Sequence, residues 1–149
     1  MIVDMNFNPI FVDACNRVTL NSDDPHRKVG CVITKGDEIV VEGANKLPNG
    51  IKANPGRLER PNKYVWIEHA ERTAIYKAAQ SGISLENTTM YLNWWPCVDC
   101  CRAIINSGIK KLVVPNRPDF NDEKWGAQFI ITSEMINEVG IDVIYTNGG

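Results

Sequence analysis

The chain has 149 residues, 44% of them hydrophobic and 23% charged, with a formal net charge of −2 at pH 7. That composition excludes a disordered, collagenous or low-complexity chain, and the slight acidity, with a pI near 5.7, argues against a broad nucleic-acid-binding face. No apolar run approaches the roughly 18 residues of a membrane span, and Met1–Asn8, which carries Asp4, lacks the basic-then-apolar layout of a signal peptide.

Ile10, Phe11, Ala14, Cys15 and Val18 recur near a helical period and predict a helix over about Phe7–Leu20. Val29–Thr34 and Ile39–Glu42 are β-branched runs separated by Lys35-Gly36-Asp37, the pattern of a hairpin. Gly43–Lys63, with Pro48, Gly50, Pro55, Gly56 and Pro61, reads as an irregular stretch. It is longer than most connections in a compact domain, which marks it as functional. Ile67–Ala79 is predicted helical, with Glu68 and Glu71 in the first turn, where the helix dipole favours acids. Thr88–Trp95 follows as a strand, Cys97–Asn106 as a helix stopped at Gly108, and Lys111–Val114 as a strand. Asp122–Val139 is a helix ended by Gly140, and Ile141–Thr146 a last strand. This alternation, without repeat or linker, predicts one α/β domain over 1–149 with a partly parallel sheet.

Surface scaling for 16.7 kDa gives roughly 24,000 Å² extended and about 7,600 Å² folded, enough burial for a core without disulfides. Five cysteines, an odd number without an export signal, point to a reducing cytoplasm, with thiols as metal ligands or core fillers. Cys15 on the apolar helix face and Cys31 in a strand read as core thiols, and Cys101 as packing.

Two short motifs carry chemistry. His69-Ala70-Glu71 stands at one helix start, and Pro96-Cys97-Val98-Asp99-Cys100 at the next strand-to-helix junction. Cys97 and Cys100 are three apart, so at a helix start both thiolates can face one point. One imidazole and two thiolates hold Zn²⁺ with a fourth position open to water, the arrangement of a catalytic rather than a closed structural site. The two thiolates cancel the ion's charge, so a nearby base is required, and Glu71 is in place for it. Alone, Cys-x-x-Cys reads equally as a redox pair or half of a structural zinc site. Joined to His-x-Glu it matches the signature of the zinc deaminases.

With these residues the chain resembles the cytidine/deoxycytidylate deaminase superfamily, most closely its deoxycytidylate (dCMP) deaminases. The likeness runs through Ser22-Asp23-Asp24 to Val29-Gly30, Gly43–Gly50, Glu68–Ala74, Met90–Gly108 and Glu138-Val139-Gly140-Ile141. It implies a three-layer α/β/α fold, a five-stranded mixed sheet with helices on both faces. It also implies zinc on His69, Cys97 and Cys100, Glu71 as proton shuttle, Asn45 on the sugar, and a homo-oligomer, hexamer or dimer. The reaction implied is dCMP to dUMP with release of ammonia. The chain departs from the branch in reading Gly43-Ala44-Asn45-Lys46 where Gly-Tyr-Asn-Gly is usual, in a loop associated with control by dCTP and dTTP. Asn93-Trp94-Trp95 replaces smaller residues and is expected to reshape the base pocket.

The remaining candidate substrate contacts are Ala70 and Pro96, beside the ligands, and Trp95, which either packs on the base or fills core. For a phosphate, Lys46, Lys52, Arg57, Arg60 and Lys63 against Glu59 make the long loop strongly basic. It is either a lid gripping the nucleotide, through Arg57 and Arg60, or a solvated loop. His26-Arg27-Lys28 is a second basic cluster for the same role. The expected partner is therefore a small dCMP-like nucleotide, with no membrane and no nucleic acid. The alternatives are another deaminase substrate (dCTP, a free nucleoside, a purine or a tRNA base) or a non-catalytic zinc-stabilised module.

Overall fold

A computed structural model describes residues 6–148; residues 1–5, part of the stretch weighed against a signal peptide, lie outside them. Helix α1 (Pro9–Val18) starts where Asn8 Oδ1 accepts the Ile10 N–H at 3.0 Å and Pro9 takes the first helical position, which needs no N–H. Its packed stripe is Phe11, Ala14, Cys15 and Val18; Ile10, expected in that stripe, is 68% exposed. Strands β1 (Gly30–Lys35) and β2 (Glu38–Ala44) form the expected hairpin, turning at Gly36 with φ +60°. The sheet runs β2–β1–β3–β4–β5, with β3 (Thr89–Leu92), β4 (Lys111–Val114) and β5 (Asp142–Tyr145). β1 is antiparallel to β2 and β3, while β3, β4 and β5 are mutually parallel neighbours. The parallel crossovers pass through α5 (Val98–Asn106) and α6 (Gly126–Val139).

Alternation along the strands sorts side chains onto two faces. Cys31, Ile33, Met90, Leu92, Leu112 and Val114 share a core with residues of α4 (Ala70–Ser81), α5 and α6. Val32, Tyr91 and Val113 share the other with α1. The outcome is the three-layer α/β/α arrangement, a five-stranded mixed sheet with helices on both faces. No helix among the described residues is long and apolar enough to cross a membrane.

Several boundaries differ from the sequence reading, and hydrogen bonds set two of them, the starts of α4 and α6. Helix α4 begins at Ala70, because Lys46 and Glu68 exchange backbone bonds of 3.1 and 2.8 Å that keep the approach extended. Glu68 therefore precedes the helix, where its carboxylate accepts from the His69 N–H at 2.8 Å and from Arg72 Nε at 2.7 Å. Helix α6 begins at Gly126, since Asp122 Oδ1 accepts from the Lys124 and Trp125 N–H groups and closes a turn first. In the long segment β2 continues to Ala44, and two single turns, α2 (Pro55–Leu58) and α3 (Lys63–Trp66), interrupt the rest.

At Gly43 the backbones of β2 and α4 approach closely. A Cβ there meets Ala74 N at 2.7 Å and Ala70 O at 2.9 Å, both backbone atoms that cannot rotate away. Gly43→Ala is expected to push α4 off the sheet, costing about 1–3 kcal/mol, read as a lowered urea midpoint. The same shift displaces the residues at the start of α4, so activity is expected to fall along with stability.

Candidate active site

The site is built on the starts of α4 and α5. His69 and Cys97 occupy the N-cap positions, and neither caps its helix with a side-chain hydrogen bond. Their backbones are extended, at φ −71°, ψ 152° and φ −72°, ψ 174°, which turns both side chains off the helix axis. Cys100, one turn into α5, comes back alongside. His69 Nδ1 lies 3.5 Å from Cys97 Sγ and 3.4 Å from Cys100 Sγ, and all three donor atoms lie within 4.8 Å of one another. With bonds of about 2.0–2.1 Å to nitrogen and 2.3 Å to sulfur, a tetrahedral zinc ion spaces such donors about 3.5–3.6 Å apart, so the residues fit the ion. No further His, Cys, Asp or Glu joins the three among the described residues.

The electrostatics suit a cation. Cys97 is drawn down to about 4 by the hydrogen bond from the Cys100 thiol, against burial and with help from His69. Cys100 is pushed up because it keeps the shared proton and is buried, and His69 is raised by its hydrogen bond with Cys97. The other cysteines are different. Burial pushes the Cys15 thiol up to about 12 and Cys101 to about 11, and lifts Cys31 well above its usual value. These three pack in the core as inert thiols. Glu71, in the first turn of α4, is 5% exposed, and burial raises its carboxyl.

A cavity of about 280 Å³ opens over these groups. His69, Ala70, Glu71 and Cys97 line it, together with Asn45, Trp95 and Arg60. Pro96 does not; it is fully buried. Arg57 does not either. Its Nη1 donates to the Lys52 carbonyl at 2.9 Å and its guanidinium lies 4.3 Å from the Trp66 ring centre, because α2 turns the side chain away from the cavity. Trp95 is a core residue with one edge on the cavity: 6% exposed, it donates from Nε1 to Thr132 Oγ1 at 2.8 Å and stacks on Tyr145.

Asn45 lies on the wall, but its amide is fully engaged by the protein. Oδ1 accepts from the Val29 N–H at 2.9 Å and from the Ser22 hydroxyl, and Nδ2 donates to the Arg27 carbonyl at 2.8 Å and to Asp24.

Trp94 and Arg27, expected from the sequence near the base and the phosphate, reach the cavity, and Trp125, Tyr64 and Lys124, which the sequence did not point to, join them. Trp125 stands edge-on to the His69 ring at 6.2 Å. Trp94, 38% exposed, carries the Arg27 guanidinium 4.0 Å over its ring. Tyr64 accepts from Arg60 Nε at 3.1 Å and lies under Lys124 Nζ. Lys124 was visible in the sequence only as the lone cation of an acidic C-terminal stretch. Arg27, Arg60 and Lys124 form no ion pair among the described residues.

Residues 5–115 match the family model of the cytidine and deoxycytidylate deaminase zinc-binding region. An uncharacterized deaminase from Aliivibrio fischeri is 33% identical over 124 residues, covering 83% of this chain and 82% of that one. The deoxycytidylate deaminase of Homo sapiens is 33% identical over 62% of this chain and 54% of its own, and that of phage T4 is 43% identical over 50% and 35%. The chain thus spans about half or less of these two deoxycytidylate deaminases. Among solved structures, the dCMP deaminase of cyanophage S-TIM5 in complex with dCMP and dUMP shares the fold. Its TM-score is 0.76 at 20% identity, over 97% of this chain and 99% of that one.

Proposed function

Because the chain belongs to the cytidine and deoxycytidylate deaminase family, we propose that it hydrolyses the 4-amino group of a cytosine nucleotide, converting dCMP to dUMP and ammonia. The observation that carries this reading is the joint placement, at one cavity, of a zinc-shaped donor set, a buried carboxylate and three cations that pair with no carboxylate among the described residues. His69, Cys97 and Cys100 would hold a zinc ion, which would supply Lewis acidity toward water when bound. Glu71 takes a proton from the attacking water and passes it to N3 of the ring. It then carries the second proton to the amine, which leaves as ammonia, so the two protons of water are both accounted for. Burial keeps bulk water from competing for those protons.

Arg27, Arg60 and Lys124 at the cavity are the proposed phosphate contacts, in place of the Arg57–Arg60 pair expected from the sequence. Trp94 and Trp125, both on the cavity lining, are its aromatic walls. The free buried thiols and the family likeness accord with a cytoplasmic homo-oligomer acting through a single domain.

The test is ammonia release from dCMP, deoxycytidine and dCTP by the purified protein. With charge-assisted contacts to the phosphate, kcat/KM for dCMP is expected to exceed that for deoxycytidine by about tenfold or more. Equal turnover of the two overturns the phosphate reading. No ammonia from any cytosine compound overturns the deaminase reading itself.

A further inference from the structure

Lys63 differs from the other cations of the cavity in being buried. Its side chain is 4% exposed, and Nζ donates to both oxygens of Asp24, at 2.9 and 3.0 Å. Lys63 opens α3 in the long segment, whereas Asp24 lies in the turn before β1. Asp24 Oδ1 also accepts from the backbone N–H groups of His26 and Arg27, at 2.8 and 3.2 Å. The Arg27 carbonyl, in turn, accepts from Asn45 Nδ2 at 2.8 Å. Both backbone polar groups of Arg27 are therefore held, and its guanidinium is laid over Trp94 on the cavity wall.

A buried ion pair is weak evidence for stability, because apolar residues of similar volume commonly do as well. The carboxylate of this pair also stays ionised. Burial works against the Asp24 carboxylate, yet the Lys63 hydrogen bond holds it below its ordinary value. What the pair does that apolar residues would not is tie the Arg27 turn to the segment that carries Arg60 and Tyr64.

We propose that Lys63 and Asp24 are positioning residues for substrate phosphate: their ion pair fixes the Arg27 turn, so that the guanidinium stands ready for the nucleotide rather than searching for it. Preorganisation of this kind reduces the ordering cost of binding, and its loss falls on the phosphate-bearing substrate. The inference rests on the nucleotide reading above.

The experiment compares kcat and KM for dCMP and for deoxycytidine in the zinc-loaded wild type, Lys63→Met, Arg27→Ala and the double variant. Lys63→Met is expected to lower kcat/KM for dCMP about tenfold more than for deoxycytidine, mainly through KM. In the Arg27→Ala background the same change is expected to alter that ratio less than twofold, because the residue through which Lys63 acts is gone. Equal losses on both substrates, or a full further loss on top of Arg27→Ala, overturn the proposal. Should Lys63→Met fail to fold, Asp24→Asn makes the same comparison, since it keeps an oxygen for the two N–H groups. Asp24→Asn with Lys63→Met does so too and leaves no unpaired buried charge. The wild-type ratio separates the two readings. A wild type that ignores the phosphate removes the nucleotide reading and this one with it. A wild type that discriminates, beside a Lys63→Met that discriminates equally, removes this one alone.

Discussion

Glu71→Gln is expected to leave a folded, zinc-loaded protein whose kcat on dCMP is down by about 10²–10⁴-fold or more, the usual weight of a positioned acid–base group. The substitution preserves shape and burial in the first turn of α4, beside His69. An amide, however, neither accepts the proton of the attacking water nor returns one to N3 and the amine. Because burial already disfavours the charged carboxylate at this position, the neutral amide is not expected to lower the melting temperature. Zinc content by elemental analysis and thermal unfolding, measured on the same preparation as the kinetics, keep the chemical effect apart from a structural one. A variant within tenfold of wild type takes Glu71 out of the mechanism.

Cys97→Ala is expected to remove the metal and the activity together. It deletes one of the three donors found among the described residues, and the thiol drawn furthest toward thiolate by its neighbours. The fall in zinc affinity should exceed the roughly 10–100-fold that loss of an outer-shell partner costs. Elemental analysis is then expected to find about one zinc per chain in wild type and little in the variant. The two apolar clusters on either side of the sheet do not depend on the ion, so far-ultraviolet circular dichroism should stay close to native. Thermal unfolding should come earlier, by the stabilisation that ligand binding contributes to the folded state. Cys101→Ala is the control. That thiol faces the Thr132 carbonyl in the core, so its loss leaves zinc stoichiometry intact. A Cys97→Ala protein with full zinc and full activity overturns the ligand assignment.

Both predictions concern residues legible in the sequence, and the reason is local. His69 and Glu71 lie within three residues of each other, as do Cys97 and Cys100 in their own motif, and each motif stands at a predicted helix start. A helix start sets the relative directions of side chains one to three residues apart, so spacing alone implied that each motif converges. The order of helices and strands was legible for the same reason: the periods of 3.6 and 2 are local properties of the chain.

What spacing does not determine is which side chains an irregular segment turns inward. Arg57 and Arg60 were equivalent candidates in the long loop, yet α2 lays Arg57 on Trp66 while Arg60 reaches Tyr64 on the cavity. Lys63, in sequence one cation among several, is buried because Asp24 arrives from 39 residues away. Trp94 and Trp95 are adjacent, but Thr132 and Tyr145 hold the second in the core and leave the first on the cavity with Arg27. The amino-acid sequence by itself determined the alternation of helices and strands, the three donors for a metal and the carboxylate beside them. Only the tertiary structure decided which cations and aromatic rings complete the cavity, because those directions come from contacts between distant segments, for which no period in the chain exists.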